Sequence, residues 1–246
     1  MIKISNLKIL ITPDVSYEDV LNKLKYRLVK ITGISEKTLH YEILKRYIDC
    51  RKKPENYMVF EVAVDCPKGF NEKSLLGKKT KEDITLYHQT EYVFPYENLN
   101  LPDRPVIVGS GPAGLFCGLY LARAGARPII LERGAQVTER MQDLDRLNDE
   151  GILNPDSNCQ FGEGGAGTFS DGKLNTVVKD PSGLNRAVLK TFVEFGADES
   201  VLFDAKPHIG TDRLCRIIPA IRKEIESLGG EIRFHSKVTR KFKGED

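Results

Sequence analysis

Gly109, Gly111 and Gly114 stand in the order Gly-x-Gly-x-x-Gly, directly after the β-branched run Val106-Ile-Val108. That spacing lets main chain approach a phosphate. The first glycine permits a tight turn, the second leaves room for a pyrophosphate, and the third lets the following helix pack close to the strand. Ser110, Pro112 and Ala113 fill the positions between. The unpaired N–H groups of the helix start, at the positive end of its dipole, then face phosphate oxygens. Ile129-Ile-Leu131 reads as the next strand and ends at Glu132. This places a carboxylate roughly 20 residues beyond the glycines, where an acid hydrogen-bonds a ribose hydroxyl. Strand, glycine triplet, helix and terminal acid in register specify a dinucleotide site. Glu132 argues against a 2′-phosphate there, because two anions would repel. The spacing alone does not separate FAD from NAD.

A second cluster follows in Asn158-Cys-Gln-Phe-Gly-Glu-Gly-Gly-Ala-Gly-Thr-Phe-Ser-Asp-Gly-Lys-Leu174. Its glycines exclude a helix interior or an ordinary strand. Such a loop can wrap a flat or phosphorylated ligand with main-chain N–H groups. The interleaved Phe161, Ala166, Phe169 and Leu174 set it apart from a flexible linker, which would be polar. Asp171, Lys173 and His208 flank the loop and are candidate acid–base groups on position only. The simpler readings are a turn residue, a solvated lysine and a loop anchor after Pro207. Cys159, without a partner cysteine in sequence, reads as a packed or inert thiol.

These residues need elements to hold them. Leu115, Gly118, Leu119 and Ala122 give the helix after the triplet an apolar or small face, and Gly125 stops it. Val106–Val108 reads as a fully buried parallel strand. Ser182 is a candidate cap for a helix burying Leu184, Val188, Leu189, Phe192 and Phe195. Thr211 or Asp212 is a candidate cap for another, carrying Leu214, Ile217, Ile218, Ile221, Ile225 and Leu228. Glu231–His235 then reads as a strand. Ahead of all this lies a small module with a strand over Ile2–Ile11 and a capping box at Ser16 and Asp19. A helix carrying Tyr17, Val20, Leu21, Leu24 and Leu28 follows. Alternating runs at Leu39–Ile43 and Met58–Val64 come next, and a further strand drawing on Ile84, Leu86, Tyr92 and Phe94. Three prolines between residues 91 and 105 mark a linker. The expectation is an α/β protein: a small α+β N-terminal domain over residues 1–98, then a Rossmann-like domain with a parallel sheet over 99–246.

Composition narrows the class. With 37 basic and 35 acidic residues the charge is too balanced to drive binding to nucleic acid or anionic membrane. Lys45, Arg46, Arg51, Lys52 and Lys53, with Tyr47 among them, raise the question of RNA; a solvated strand end and turn is the plainer reading. The uncharged stretch Pro105–Ala122 nears the length of a membrane span, but glycines and Pro112 in its middle favour strand, turn and helix. Five scattered cysteines without a Cys-x-x-Cys pair predict reduced thiols in a cytoplasmic protein, with no metal site.

Gly-x-Gly-Pro-Ala-Gly followed by Glu132-Arg133-Gly134 resembles the FAD-binding half of the glutathione-reductase-like flavoproteins. Arg133, Gly134 and Arg140, then Leu153–Lys173 and Pro207–Asp212, are similar to a family of bacterial proteins described as uncharacterised FAD-dependent dehydrogenases. The resemblance extends to the N-terminal module. It implies an FAD-dependent oxidoreductase of unknown substrate, with NAD(P)H as a candidate electron donor. By the same resemblance Gly164, Gly165, Ala166, Gly167 and Thr168 are flavin contacts, Arg133 neighbours the adenosine end, Arg140 belongs to the cofactor set, and Val238 meets the adenine through its main chain. A plain edge residue is an equal reading of Val238. Flavoproteins of this class add a later segment and a substrate domain, so the chain is expected to stop early, at Lys243-Gly-Glu-Asp246, and to bind FAD weakly without turnover. Two other readings stay open: a flavin-fold protein whose N-terminal module docks on RNA or a protein, and a nicotinamide enzyme without flavin.

Overall fold

Ile2, Ile4, Leu7 and Ile9 alternate along the first strand and are all buried, which fixes one face of a sheet. The computed structural model describes residues 1–76, 81–174, 176 and 178–240; residues 241–246, the end of the expected Rossmann-like domain and of the early-stop reading, lie outside them. Two compact units emerge, one of Met1–Thr90 with Leu202–Pro207, the other of Glu91–Val201 with His208–Asp246. The boundary thus falls ahead of residue 98, and a short stretch of later sequence belongs to the first unit.

In the first unit, β1 (Ile2–Ile11), β2 (His40–Asp49), β3 (Asn56–Asp65) and β4 (Asp83–Leu86) form an antiparallel sheet in the order β2-β3-β1-β4. Between β1 and β2 runs α1 (Tyr17–Thr32), which buries Val20, Leu24 and Leu28. These side chains share one core cluster with Ile2, Ile4, Phe60 and Val62. Each fully buried leucine of this kind contributes about 1.5–3 kcal/mol. The helix starts where the sequence expects: the Ser16 side chain accepts from the Asp19 N–H at 3.1 Å, and the Ser16 N–H donates to the Asp19 carboxylate at 3.2 Å. Gly33 ends it in the left-handed conformation.

The expected strand through Tyr92 and Phe94 is not formed. After Leu86 the chain leaves the sheet, and both rings lie against Tyr120 of the second unit instead, Phe94 stacked at 5.3 Å and Tyr92 edge-on at 6.1 Å. Ring burial won over alternation. The basic cluster is also partly tied down: Arg46 donates two hydrogen bonds to Asp204, and Arg51 two to Asp49.

In the second unit, β5 (Val106–Val108), β6 (Ile129–Leu131) and β7 (Glu231–Arg233) form a parallel sheet in that order. Among the described residues four α-helices accompany it: α2 (Pro112–Arg123), α3 (Val137–Glu150), α4 (Leu184–Glu194) and α5 (Thr211–Ser227). The long stretch without charges is strand, turn and helix, and no helix among the described residues is long and apolar enough to cross a membrane. α2 packs close because Gly118 leaves space for Ile130; a Cβ there would come within 2.6 Å of the Ile130 Cδ1. β5 is not fully buried, contrary to its composition. It is an edge strand, Ile107 turns toward Gly114 of α2, and Val106 and Val108 on the opposite face are 58% and 66% exposed.

Two helix caps also differ from expectation. The residue ahead of α4 is Gly183 in the left-handed conformation, not Ser182, and α5 is preceded by Gly210, with Thr211 already helical. The Thr211 hydroxyl instead donates to the Ser170 carbonyl at 2.6 Å, tying α5 to the glycine loop. Leu184 is 48% exposed, while Ile217, Ile218, Ile221 and Ile225 of α5 are buried as expected.

Ser16→Ala removes the cap and is expected to lower the stability of the first unit by about 1 kcal/mol. The hydrogen bonds from Ser16 hold the Asp19 carboxyl below its usual range, so that contribution is present above about pH 4 and is lost as pH falls through the lowered value. Denaturant unfolding followed by circular dichroism should show a wild-type advantage at pH 7 that shrinks on acidification.

Candidate functional site

The turn from β5 into α2 has the shape that the glycine spacing requires. Gly109 sits at φ 92°, a left-handed conformation open to glycine at no steric cost. A Cβ on Gly109 or Gly111 would meet nothing within 4 Å, so space lies over the turn. A Cβ on Gly114 would collide with the Gly109 carbonyl oxygen. The three glycines therefore do different work, the first two leaving room for a ligand and the third letting helix and strand touch. The N–H groups of Ala113 and Gly114, in the first turn of α2, have no acceptor within the helix.

Glu132 closes the other side. Its carboxylate is buried and accepts from the Ser110 N–H at 2.7 Å, the Ser110 hydroxyl at 2.9 Å and the Gly134 N–H at 2.8 Å. It still lines a crevice of about 290 Å³ together with Gly109, Gly111, Arg133, Phe161, Gly165 and Val238. Each carboxylate oxygen accepts more than one donor, so the acid can hold the turn and receive sugar hydroxyls as well. The Arg133 guanidinium lies 3.8 Å over the Phe161 ring and donates to Asp156 at 2.9 Å. Lys237 and Arg133 hold the Asp156 carboxyl below its ordinary range. Val238 is at the rim, 43% exposed.

The glycine loop lies against the same turn. The Gly164 N–H donates to the Ser110 carbonyl at 2.8 Å, and a Cβ on Gly165 would stand 3.3 Å from Gly111 Cα and Pro112 Cδ. Ala166–Phe169 forms a single turn of 3₁₀ helix, with Thr168 buried and Ala166 and Gly167 exposed.

Arg140 lies beneath the glycine loop. It is fully buried, and its guanidinium donates to the carbonyls of Asn158 (2.7 Å), Glu163 (2.8 Å), Gly165 (2.7 Å) and Cys159 (3.0 Å). Four of its five N–H donors are engaged by these carbonyls, so it organises the loop. Burial pushes its pKa below the usual arginine range. Beside it, buried Glu163 accepts from the Val137 N–H and from Arg222 Nε, each at 2.8 Å. Sequence reading missed Glu163 and Arg222: they are 59 positions apart, and no local pattern joins them.

Asp171, Lys173 and His208 do come together. Lys173 and His208 pair across an isolated bridge, and Lys173 Nζ lies 2.6 Å from the Asp171 carboxylate. Each sustains the other's charge: Lys173 holds Asp171 below the usual carboxylate range, and Asp171 raises Lys173. Both are exposed. Lys173 also borders a second cavity, of about 370 Å³, walled by α2, α4, α5 and the loop. The five cysteines are free thiols, and no group of three or more His, Cys, Asp or Glu among the described residues is placed to hold a metal ion.

Comparison with known proteins agrees with this geometry. Residues 104–142 match the family model described as FAD binding domain. The match covers β5, the glycine turn, α2, β6, Glu132 and the first turns of α3, and it supports FAD as the ligand. The chain is also 40% identical over 245 residues to an uncharacterised protein of Clostridium beijerinckii, covering 96% of this chain and 43% of that protein. It therefore spans less than half the length of that relative.

Arg140→Leu would take a donor from four carbonyls; those of Glu163 and Gly165 keep only long bonds from Thr168 at 3.4 Å, and each carbonyl left unpaired and dry costs about 1–3 kcal/mol. The expected result is loosening of the loop, read as rapid protease cleavage within residues 158–169. Arg140→Lys is not expected to rescue it, since one ammonium cannot span the fork of a guanidinium.

Proposed function

We propose that the chain is the dinucleotide-binding part of an FAD-dependent oxidoreductase, with NAD(P)H as the electron donor to the flavin and a small organic substrate as the acceptor. The observation that carries this reading is the open cradle over Gly109 and Gly111, with the buried Glu132 carboxylate at one side and the first turn of α2 at the other. The residues fit FAD. Unbonded N–H groups of Ala113 and Gly114 face a diphosphate, and Glu132 receives the hydroxyls of the adenosine ribose. Arg133 on Phe161 walls the adenosine end, and Val238 offers main chain at the rim. Gly164–Thr168 lie along the part of the ligand beyond the diphosphate. In this reading the second unit of the fold is a Rossmann-like domain.

When bound, FAD supplies two-electron redox chemistry at its ring, and the protein contributes position, electrostatics and exclusion of water. Asp171 and Lys173 keep their charges through neutral pH, which suits them to an electrostatic role more than to proton transfer. Free thiols at all five cysteines favour a reducing, cytoplasmic setting. Arg46 and Arg51 of the N-terminal basic cluster are held in ion pairs within their own unit, so nucleic acid has no part in the proposal.

Gly111→Ala tests the cradle. Its φ of −66° and ψ of 179° suit alanine, so the variant should fold. The added methyl occupies ligand space, and affinity for ADP and FAD by isothermal titration should fall by about tenfold or more, roughly 1.4 kcal/mol. Adenosine 2′,5′-diphosphate should bind the wild type more weakly than ADP, because Glu132 repels the 2′-phosphate. Equal binding of ADP by the wild type and Gly111→Ala would remove the assignment.

A further inference from the structure

A groove of about 510 Å³ opens between α3 and the start of α5. It shares no lining residue with the crevice beside Glu132 or the cavity beside Lys173. Met141, Leu144, Asp145 and Asn148 line it at spacings of three and four, so they share one face of α3. Asp212, Cys215 and Arg216 line it in the same way from α5, and Phe169 of the glycine loop joins them. The core has no use for that face of α3, whose only buried residues are Val137 and Arg140. Met141 remains 45% exposed. The volume lies within the roughly 300–1,000 Å³ of small-molecule sites.

The groove carries charges of both signs. Asp212 and Arg216 stand four positions apart on α5, a spacing at which opposite charges commonly pair. Asp145 stands on the α3 wall. Among the described residues, none of these three is in an ion pair. We propose that the groove binds a small zwitterion, an α-amino acid with a large apolar side chain. Its carboxylate lies on Arg216, its ammonium on Asp212 and Asp145, and its side chain against Met141, Leu144 and Phe169. A lone anion would meet two carboxylates and a lone cation a guanidinium, so a ligand bearing both charges is the one left unopposed. The thioether and ring surfaces suit an aromatic side chain. Phe169 closes the 3₁₀ turn of the glycine loop, and its ring centre lies 4.8 Å from the Arg140 guanidinium carbon. An occupant packed on Phe169 therefore steadies the loop that borders the dinucleotide turn, which couples the two sites.

Cys215, a free thiol in the lining, reports occupancy. The 246-residue chain is labelled with iodoacetamide, and each cysteine is quantified by peptide mass spectrometry. L-Phenylalanine should slow labelling of Cys215 in a saturable way, about tenfold once roughly nine-tenths of the sites are filled. Exposed Cys50, in the first unit, should label at an unchanged rate. 3-Phenylpropanoate, which lacks the ammonium, and 2-phenylethylamine, which lacks the carboxylate, should each need about tenfold higher concentration or more. L-Phenylalanine should need the same increase on Arg216→Met, whose site is exposed and tolerant of change. Asp212→Asn is read in its place if circular dichroism shows Arg216→Met misfolded. Saturating L-phenylalanine should also slow protease cleavage within residues 158–169. Unprotected Cys215, equal protection by the acid or the amine alone, or undiminished protection in the folded variant overturns the site. Protection without slower cleavage overturns the coupling to the loop. Each result is independent of FAD, so loss of the dinucleotide reading would leave this site standing.

Discussion

One guanidinium organises the ligand-facing side of the second unit. Arg140 is buried in a place where an unpaired cation would be prohibitive, and it is tolerated because four carbonyl oxygens share its charge. The exchange runs both ways, since those carbonyls belong to a glycine-rich stretch too irregular to satisfy them through a helix or sheet. Glu163 extends the arrangement by capping the start of α3 at Val137 and pairing with Arg222 of α5. Two helices and a loop thus share one buried polar cluster. Such a cluster specifies a single arrangement more than it adds stability, because its desolvation cost offsets much of its attraction.

With the loop held in that way, the approach of backbone to backbone becomes possible. Gly134 stands against Gly162, where a Cβ would come within 2.6 Å of its Cα, and Gly164 hydrogen-bonds Ser110. Side chains are absent at these contacts because the main chains themselves are the packing surface. The result is a turn bounded by fixed N–H groups and one carboxylate, with little to reorganise when an anionic ligand arrives. Preorganisation of this kind keeps affinity from being spent on ordering the site.

Much of this was legible in local sequence. The glycine triplet, the α2 face, Glu132 and the capping box at Ser16 are set by neighbours within one turn or one strand, and spacing reports such relations directly. What escaped depends on partners far along the chain. The carbonyl partners of Arg140, 18 to 25 positions away, leave no local pattern. Val106 and Val108 have the composition of a buried strand, but burial is set by what covers a face, and β5 lies at the edge of its sheet. Tyr92 and Phe94 alternate like strand residues and were captured by Tyr120. Asp171, Lys173 and His208 were grouped by proximity to the loop, and the bridge between Lys173 and His208 is what makes that grouping physical.

The short stretch Leu202–Pro207 belongs to the first unit although both its flanks belong to the second. Arg46 and Asp204, joined by two hydrogen bonds, are separated by 158 positions. During synthesis β2 can pair with β3, but Arg46 gains its Asp204 partner only after most of the second unit has left the ribosome. A single cut after Thr90 would leave Leu202–Pro207 on the fragment that carries the second unit, so the first unit needs both pieces of chain to be whole.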